Sequence, residues 1–152
     1  MPEITTQWRR FDELTAAELY ELLRLRQSIF VVEQGSAYPD LDGLDQSAWH
    51  LAARLESELI GYLRLTAIPG PPPMIRIGRV AVSPSLRRGG LGRMLMEQAL
   101  ILCREHFPLH AIALGAQAPL VPFYESFGFA AISEPYDDFG VAHVEMMLRL
   151  PS

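Results

Sequence analysis

Ile4, Thr6 and Trp8 share one parity and alternate with more polar neighbours, a two-residue period that predicts an opening strand. The period then changes. Thr15-Ala16-Ala17-Glu18 is a capping box, followed by an apolar stripe of Leu19, Leu22, Leu23 and Ile29, so a helix is predicted from about Thr15. Trp49 to Leu55 and Leu59 to Ile68 read as strands turned at Glu56-Ser57-Glu58, an antiparallel hairpin. Pro69-Gly70-Pro71-Pro72-Pro73 is too proline-rich for helix or central strand and reads as a stiff loop.

The run from Met74 to Val82 predicts a strand with a defect. Ile75 and Ile77 have one parity and Val80 and Val82 the other, with Gly78 between them. A bulge near Gly78 would return all four to one face and bend the strand from its neighbour. Pro84 ends this strand. Leu91, Met94, Leu95, Ala99 and Leu102 then recur at helical spacing, predicting a helix from Gly90 to about His106 that Pro108 stops. Ala111 to Gly115 reads as a short buried strand. Pro119 starts another helix carrying Val121, Phe123, Tyr124 and Phe127, and Gly128 ends it. Phe129 to Ile132 and Ala142 to Leu150 read as strands separated by the turn-rich Glu134 to Gly140.

The chemistry concentrates where the second helix begins. A helix N-terminus has unpaired N–H groups and partial positive charge, which normally attract Asp or Glu. Here Arg87, Arg88 and Arg93 crowd it together with Gly89, Gly90 and Gly92. That arrangement suits a bound anion, because glycines let a phosphate approach bare backbone. The Lys-Ser or Lys-Thr of a P-loop is absent after Gly92, and the G-x-G-x-x-G of a dinucleotide fold is not formed.

Composition narrows the rest. The chain has 152 residues, 49% hydrophobic and 20% charged, which predicts a single domain over 1–152 with its own core. A net charge of −5 argues against general nucleic-acid binding. One cysteine, Cys103, lies among apolar helix positions and is expected to be structural. With no signal-peptide core and no apolar run of about 20 residues, the expected location is cytoplasmic, without membrane association. The acidic stretch Tyr38-Pro39-Asp40-Leu41-Asp42-Gly43-Leu44-Asp45 breaks the register of a calcium loop and lacks its final Glu, so no metal is expected. It is either a solvated loop or a negative wall for a cationic amine. His50, within a strand, is expected to be a satisfied structural group.

Arg87-x-x-Gly90-x-Gly92 matches the Q/R-x-x-G-x-G/A signature of the GNAT family of acyl-CoA N-acyltransferases. Gln117 through Phe123-Tyr124-Glu125-Ser126-Phe127-Gly128-Phe129 resembles that family's N-x-x-A-x-x-x-Y-x-x-x-G-F segment, with Gln117 where Asn is usual. The predicted element order resembles the same fold over nearly the whole chain. More narrowly, Phe30-Val31-Val32-Glu33-Gln34, Tyr38, Asp40, Asp42-Gly43, Leu114-Gly115-Ala116-Gln117 and His143 resemble the ElaA-like branch, which often has Cys where this chain has Ser36.

The resemblance implies an α/β (α+β) GNAT fold, a mixed central sheet flanked by helices and splayed around a bulged fourth strand. It implies acetyl-CoA as cosubstrate and a small-molecule primary amine, possibly cationic, as acceptor, with a homodimer as a family-level expectation. Carried over, backbone groups of Val80, Ala81 and Val82 would pair with the pantetheine arm, with an N–H near Val82 facing the developing oxyanion. N–H groups of Arg88, Gly89, Gly90, Leu91, Gly92 and Arg93, beside Arg87, would hold the pyrophosphate, with Gln117 near the cofactor. Tyr124 occupies the general-acid position. For the base, Glu33 is a candidate if desolvation raises its pKa, His143 is another because imidazole titrates near neutral pH, and a water chain ending at either would serve. An acyl-CoA-binding regulatory module without turnover, or a nucleotide-binding protein, are the competing functions.

Overall fold

The computed structural model describes residues 3–149. Strand β1 spans Ile4–Arg10 and helix α1 spans Ala16–Gln27. Thr15 caps α1 as expected: its Oγ1 accepts from the Glu18 N–H at 3.1 Å, and Glu18 accepts from the Thr15 N–H at 2.9 Å. The helix continues into a wider π-helical turn, Ser28–Glu33. The hairpin follows as β2, Trp49–Leu55, and β3, Glu58–Ile68; then come β4, Met74–Val82, and helix α2, Leu91–His106. The rest comprises β5 (Ala111–Gln117), α3 (Val121–Glu125), β6 (Ala130–Ala131), β7 (Tyr136–Asp138) and β8 (Val141–Arg149). The predicted end of the last strand, Leu150, lies outside the described residues.

The sheet runs β1-β2-β3-β4-β5-β8, and β6 and β7 share the far edge of β8. Among the described residues, only the β4–β5 pair is parallel. On one face α2 buries Leu91, Leu95, Met96, Ala99 and Cys103 in the larger core, each Leu or Met contributing about 2 kcal/mol of apolar burial. On the other face Leu22 and Ile29 pack on Leu59, Tyr62 and Ala81. Cys103 is buried, which pushes its thiol up to about 12 and leaves it inert, as the sequence suggested.

The bulge is present. Gly78 pairs with Arg64 and Ala81 with Tyr62, so β4 spends two residues, Arg79 and Val80, where β3 spends one. Val80 and Val82 thereby pack on the same core as Ile75 and Ile77, while Ala81 turns to the α1 side. The left-handed residue is Arg79, at φ 53°, rather than the glycine beside it. A non-glycine residue there costs about 1–3 kcal/mol unless its surroundings hold it. Arg79 is held: its Nε donates to Asp40 Oδ1 at 2.9 Å and its guanidinium lies 4.7 Å from the Tyr38 ring centre.

The β4–β5 ladder stops at the Arg76–Ala113 pair. From Ile77 onward the two strands diverge, which opens a notch in the middle of the sheet. Strand β7 corrects the sequence reading, which had Glu134 to Gly140 as turns alone. Tyr136–Asp138 pairs with Val141–His143 around a hairpin turn at Phe139 and Gly140, both with positive φ.

Candidate active site

The notch joins two cavities. The outer groove, about 640 Å³, runs between the 28–33 turn and the start of α2; the inner cavity, about 150 Å³, lies under the β7–β8 hairpin. Phe30, Gln34, Val80, Gln117, Leu120 and Tyr124 line both, so they form one channel through the sheet.

At the outer end, the loop after β4 delivers bare backbone to the groove. Arg88 and Gly90 have φ of 69° and 84°, and Gly90 caps α2 with no side chain. Among the described residues, backbone N–H groups 88–93 have no backbone or side-chain acceptor. Six consecutive free donors at a helix N-terminus suit an anion. Gly89 allows the close turn, since a Cβ there would lie 3.3 Å from the Leu86 carbonyl oxygen. Leu91 is buried and anchors the helix start, and a Cβ at Gly92 would meet Phe123 at ordinary distance. Arg88 is exposed, while Arg93 is turned back onto Ser126 Oγ at 2.9 Å and over the Phe127 ring at 4.6 Å. Val80 and Val82 line the groove, whereas the Ala81 side chain is buried toward α1.

Glu33 overturns its expectation. Its carboxylate takes two hydrogen bonds from Arg87, at 2.6 and 2.9 Å, and these outweigh partial burial and hold its pKa below the usual carboxylate value. A carboxylate of lowered pKa beside the phosphate loop is a poor base for an amine. The exposed pair also contributes little, about 0–1 kcal/mol. Glu33→Gln is therefore expected to keep the pH profile of turnover and to leave acyl-CoA affinity equal or a few-fold tighter, because Arg87 is freed for phosphate. Calorimetry showing clearly weaker binding would mean that the pair shapes the loop.

Tyr124 stands where the two cavities meet. Its ring is gripped edge-on by Phe123 and Phe129, and its hydroxyl has no hydrogen-bond partner among the described residues. Burial pushes the phenol up to about 12, so it stays protonated and free to donate. His143 lies at the inner end, opposite Gln117 in the β5–β8 ladder and stacked on Tyr136. Its Nδ1 is 2.9 Å from the Val141 carbonyl oxygen. A carbonyl only accepts, so Nδ1 carries the proton and Nε2 is the free base of the neutral ring. Ser36 lines the inner cavity, and its hydroxyl donates to the Phe139 carbonyl at 2.7 Å, tying the 34–36 turn to the hairpin.

The acidic stretch is neither a solvated loop nor a negative wall. Asp40 and Asp45 are buried, and Arg26 bonds to both, at 3.0 and 2.7 Å. Arg64 reaches Asp45 at 3.0 Å and also pairs with Asp42, and Arg79 links Asp40 to Asp42. Three arginines neutralise three carboxylates, and the network clamps the bulge that shapes the notch. His50 is a satisfied group as expected, with Tyr62 on Nδ1 and the Asp45 carbonyl on Nε2 at 2.8 Å. The sequence reading missed Tyr136 and Asp138 of the inner cavity, because the hairpin that presents them was not recognised.

Comparison with known proteins agrees with this geometry. Residues 30–150 match the family model described as an acetyltransferase (GNAT) domain. Protein ElaA of Escherichia coli is 40% identical over 137 residues, covering 89% of this chain and 90% of its own. A UPF0039 protein of Synechocystis is 39% identical over 150 residues, covering 98% and 97%. Among solved structures, E. coli ElaA superposes with a TM-score of 0.88 at 38% identity, covering 95% of this chain and 99% of its own. An acyl-CoA N-acyltransferase from Pseudomonas aeruginosa gives 0.87 at 37% identity with the same coverage. No described helix is long and apolar enough to cross a membrane. The splayed β4–β5 notch and the glycine-lined start of α2 are thus the marks of an acyltransferase fold that takes acyl-CoA, and the chain belongs to the GNAT family, in its ElaA-like branch.

Proposed function

We propose that this acyltransferase moves an acetyl group from acetyl-CoA directly to a small primary amine while both are bound. The observation that carries the reading is the free Tyr124 hydroxyl at the junction of the two cavities. Acetyl-CoA enters along the outer groove, with its pyrophosphate on N–H groups 88–93, its pantetheine arm along the open edge of β4 and its thioester at the notch. The limited inner cavity favours a short acyl group and a slim acceptor. The name of the Pseudomonas relative, an N-acyltransferase, supports nitrogen as the attacked atom.

A primary alkylammonium has a pKa of about 10, so it must lose a proton before it attacks. Nε2 of His143 takes that proton, directly or through water. The amine nitrogen then bonds to the thioester carbon, and a backbone N–H near Val82 stabilises the oxyanion. Collapse breaks the C–S bond, Tyr124 protonates the leaving sulfur, and the second amine proton returns to the phenol through solvent. No nucleophile on the enzyme is needed.

The test is thiol release from acetyl-CoA and from longer acyl-CoAs against a panel of amines, with His143→Asn in parallel. The reading expects amine-dependent release that is fastest with acetyl-CoA and falls about a hundred-fold or more in the variant. Release that ignores the amine, or a preference for long chains, would overturn it.

A further inference from the structure

The β7–β8 hairpin brings to the inner cavity a carboxylate that no step above uses. Tyr136 pairs with His143 and Asp138 with Val141, so Tyr136, Asp138 and His143 share one face, and all three line the cavity. Asp138 and His143 are diagonal neighbours on that face, a relation that separates the residues by about 7–8 Å and leaves room for one small group between their side chains.

The charge balance of the cavity singles out Asp138. Two arginines line it, and each has its own carboxylate: Arg76 lies against Glu145, with one contact at 3.2 Å, and Arg79 against Asp40 and Asp42. Glu145 is further occupied by the Tyr136 hydroxyl at 3.3 Å. Among the described residues, the Asp138 carboxylate has no hydrogen-bond or ion-pair partner. It is a partly buried, uncompensated negative charge at the wall of a small cavity. Burial first, and then nearby carboxylates including Asp138, raise the hydroxyl pKa values of Tyr38 and Tyr136, which places its charge close to both rings.

We propose that the inner cavity receives the acceptor as a primary alkylammonium ion, with Asp138 holding the ammonium beside His143, and that it rejects acceptors carrying a carboxylate next to the amine. The inference deepens the amine-acetylating reading and rests on it. Asp138 binds the charged form; His143 then takes one proton, and the neutral amine is left facing the thioester. A zwitterionic acceptor would bring its own carboxylate toward Asp138 and Glu145, while both arginines are already engaged. Asp138 is thus a specificity residue, and the sum of cavity charges, rather than the acidic loop, selects a cation.

The test follows the His143 Cε1–H resonance, assigned with His143→Asn, during titration with n-butylamine, n-butanol and glycine. In the wild type n-butylamine is expected to move it saturably, and n-butanol and glycine to leave it in place. Asp138→Asn is expected to weaken the n-butylamine response about ten- to a hundred-fold, the usual worth of a hydrogen bond to a charged group, and Asp138→Glu to restore most of it. Unchanged melting temperature and acetyl-CoA affinity in Asp138→Asn establish that the variant is folded. Equal responses to n-butylamine and n-butanol, an unaltered response in Asp138→Asn, or no wild-type response would overturn the assignment. Absence of amine-dependent thiol release would instead defeat the acetylation reading, and the resonance would still report on Asp138.

Discussion

Replacing Tyr124 with phenylalanine is expected to lower turnover about a hundred- to ten-thousand-fold, the range for loss of a positioned general acid, with acetyl-CoA affinity nearly unchanged. Among the described residues the hydroxyl has no partner to lose, and the ring keeps its contacts with Phe123 and Phe129, so the fold should tolerate the change. With a phenol pushed up to about 12, the proton remains in place at any ordinary assay pH. It is therefore a weak acid until charge builds on the sulfur. A thiol has a reference pKa of about 8.5, below that of this phenol, so the hydroxyl first hydrogen-bonds to the developing thiolate and its proton crosses as the second amine proton is handed to the phenol. Because the acid form persists, Tyr124 should impose no alkaline fall in rate below about pH 11. Steady-state kinetics with calorimetry separate the outcomes. A Tyr124→Phe enzyme with wild-type turnover would reduce the residue to core packing.

Asp45→Asn is expected to destabilise the protein by about 3–5 kcal/mol, because it leaves Arg26 and Arg64 short of charge inside the fold. For a chain of this size that corresponds to a melting temperature lower by about 6–20 °C. The damage should reach the active site, since the same network holds Arg79 in its left-handed conformation and so holds the bulge. The neighbouring Asp42 supplies the pH dependence. Burial alone would raise its carboxyl, but hydrogen bonds from Arg64 and the Leu44 N–H, with the charges of Arg64 and Arg79, bring it down to about 2 from an ordinary 3.8. The folded state thus binds fewer protons than the unfolded chain between those values. Its contribution is complete above pH 3.8 and is lost as pH falls toward 2. Urea midpoints measured from pH 6 downward should fall through that window, and Asp42→Asn should flatten the fall. A wild-type midpoint insensitive to pH there would contradict the network's role.

What the sequence made legible was local. Thr15 and Glu18 cap a helix by contacts three residues apart, and the parity change across Gly78 is a count along one strand. The glycines and arginines before α2 likewise sit together in the chain, which is why a helix start with bare backbone donors could be read directly. Most of the errors were long-range. Asp40, Asp42 and Asp45 read as free acids because Arg26, Arg64 and Arg79 come from three other segments. Glu33 read as a candidate base because its partner, Arg87, lies 54 residues on. The β7–β8 hairpin was missed because a Phe at positive φ replaces the usual Asn or Asp of such a turn, and with it went Asp138. Arg79 in a left-handed conformation carries no sequence signal, since a distant ion-pair network supports it.

Acetyl-CoA and the amine are expected to occupy the two ends of one channel together and to meet at Tyr124. The most direct measurement is initial rates with acetyl-CoA and a primary amine varied against each other. Intersecting double-reciprocal lines, the pattern of a ternary complex, are expected. Parallel lines, with acetyl recovered on the enzyme, would reveal a covalent intermediate and contradict it.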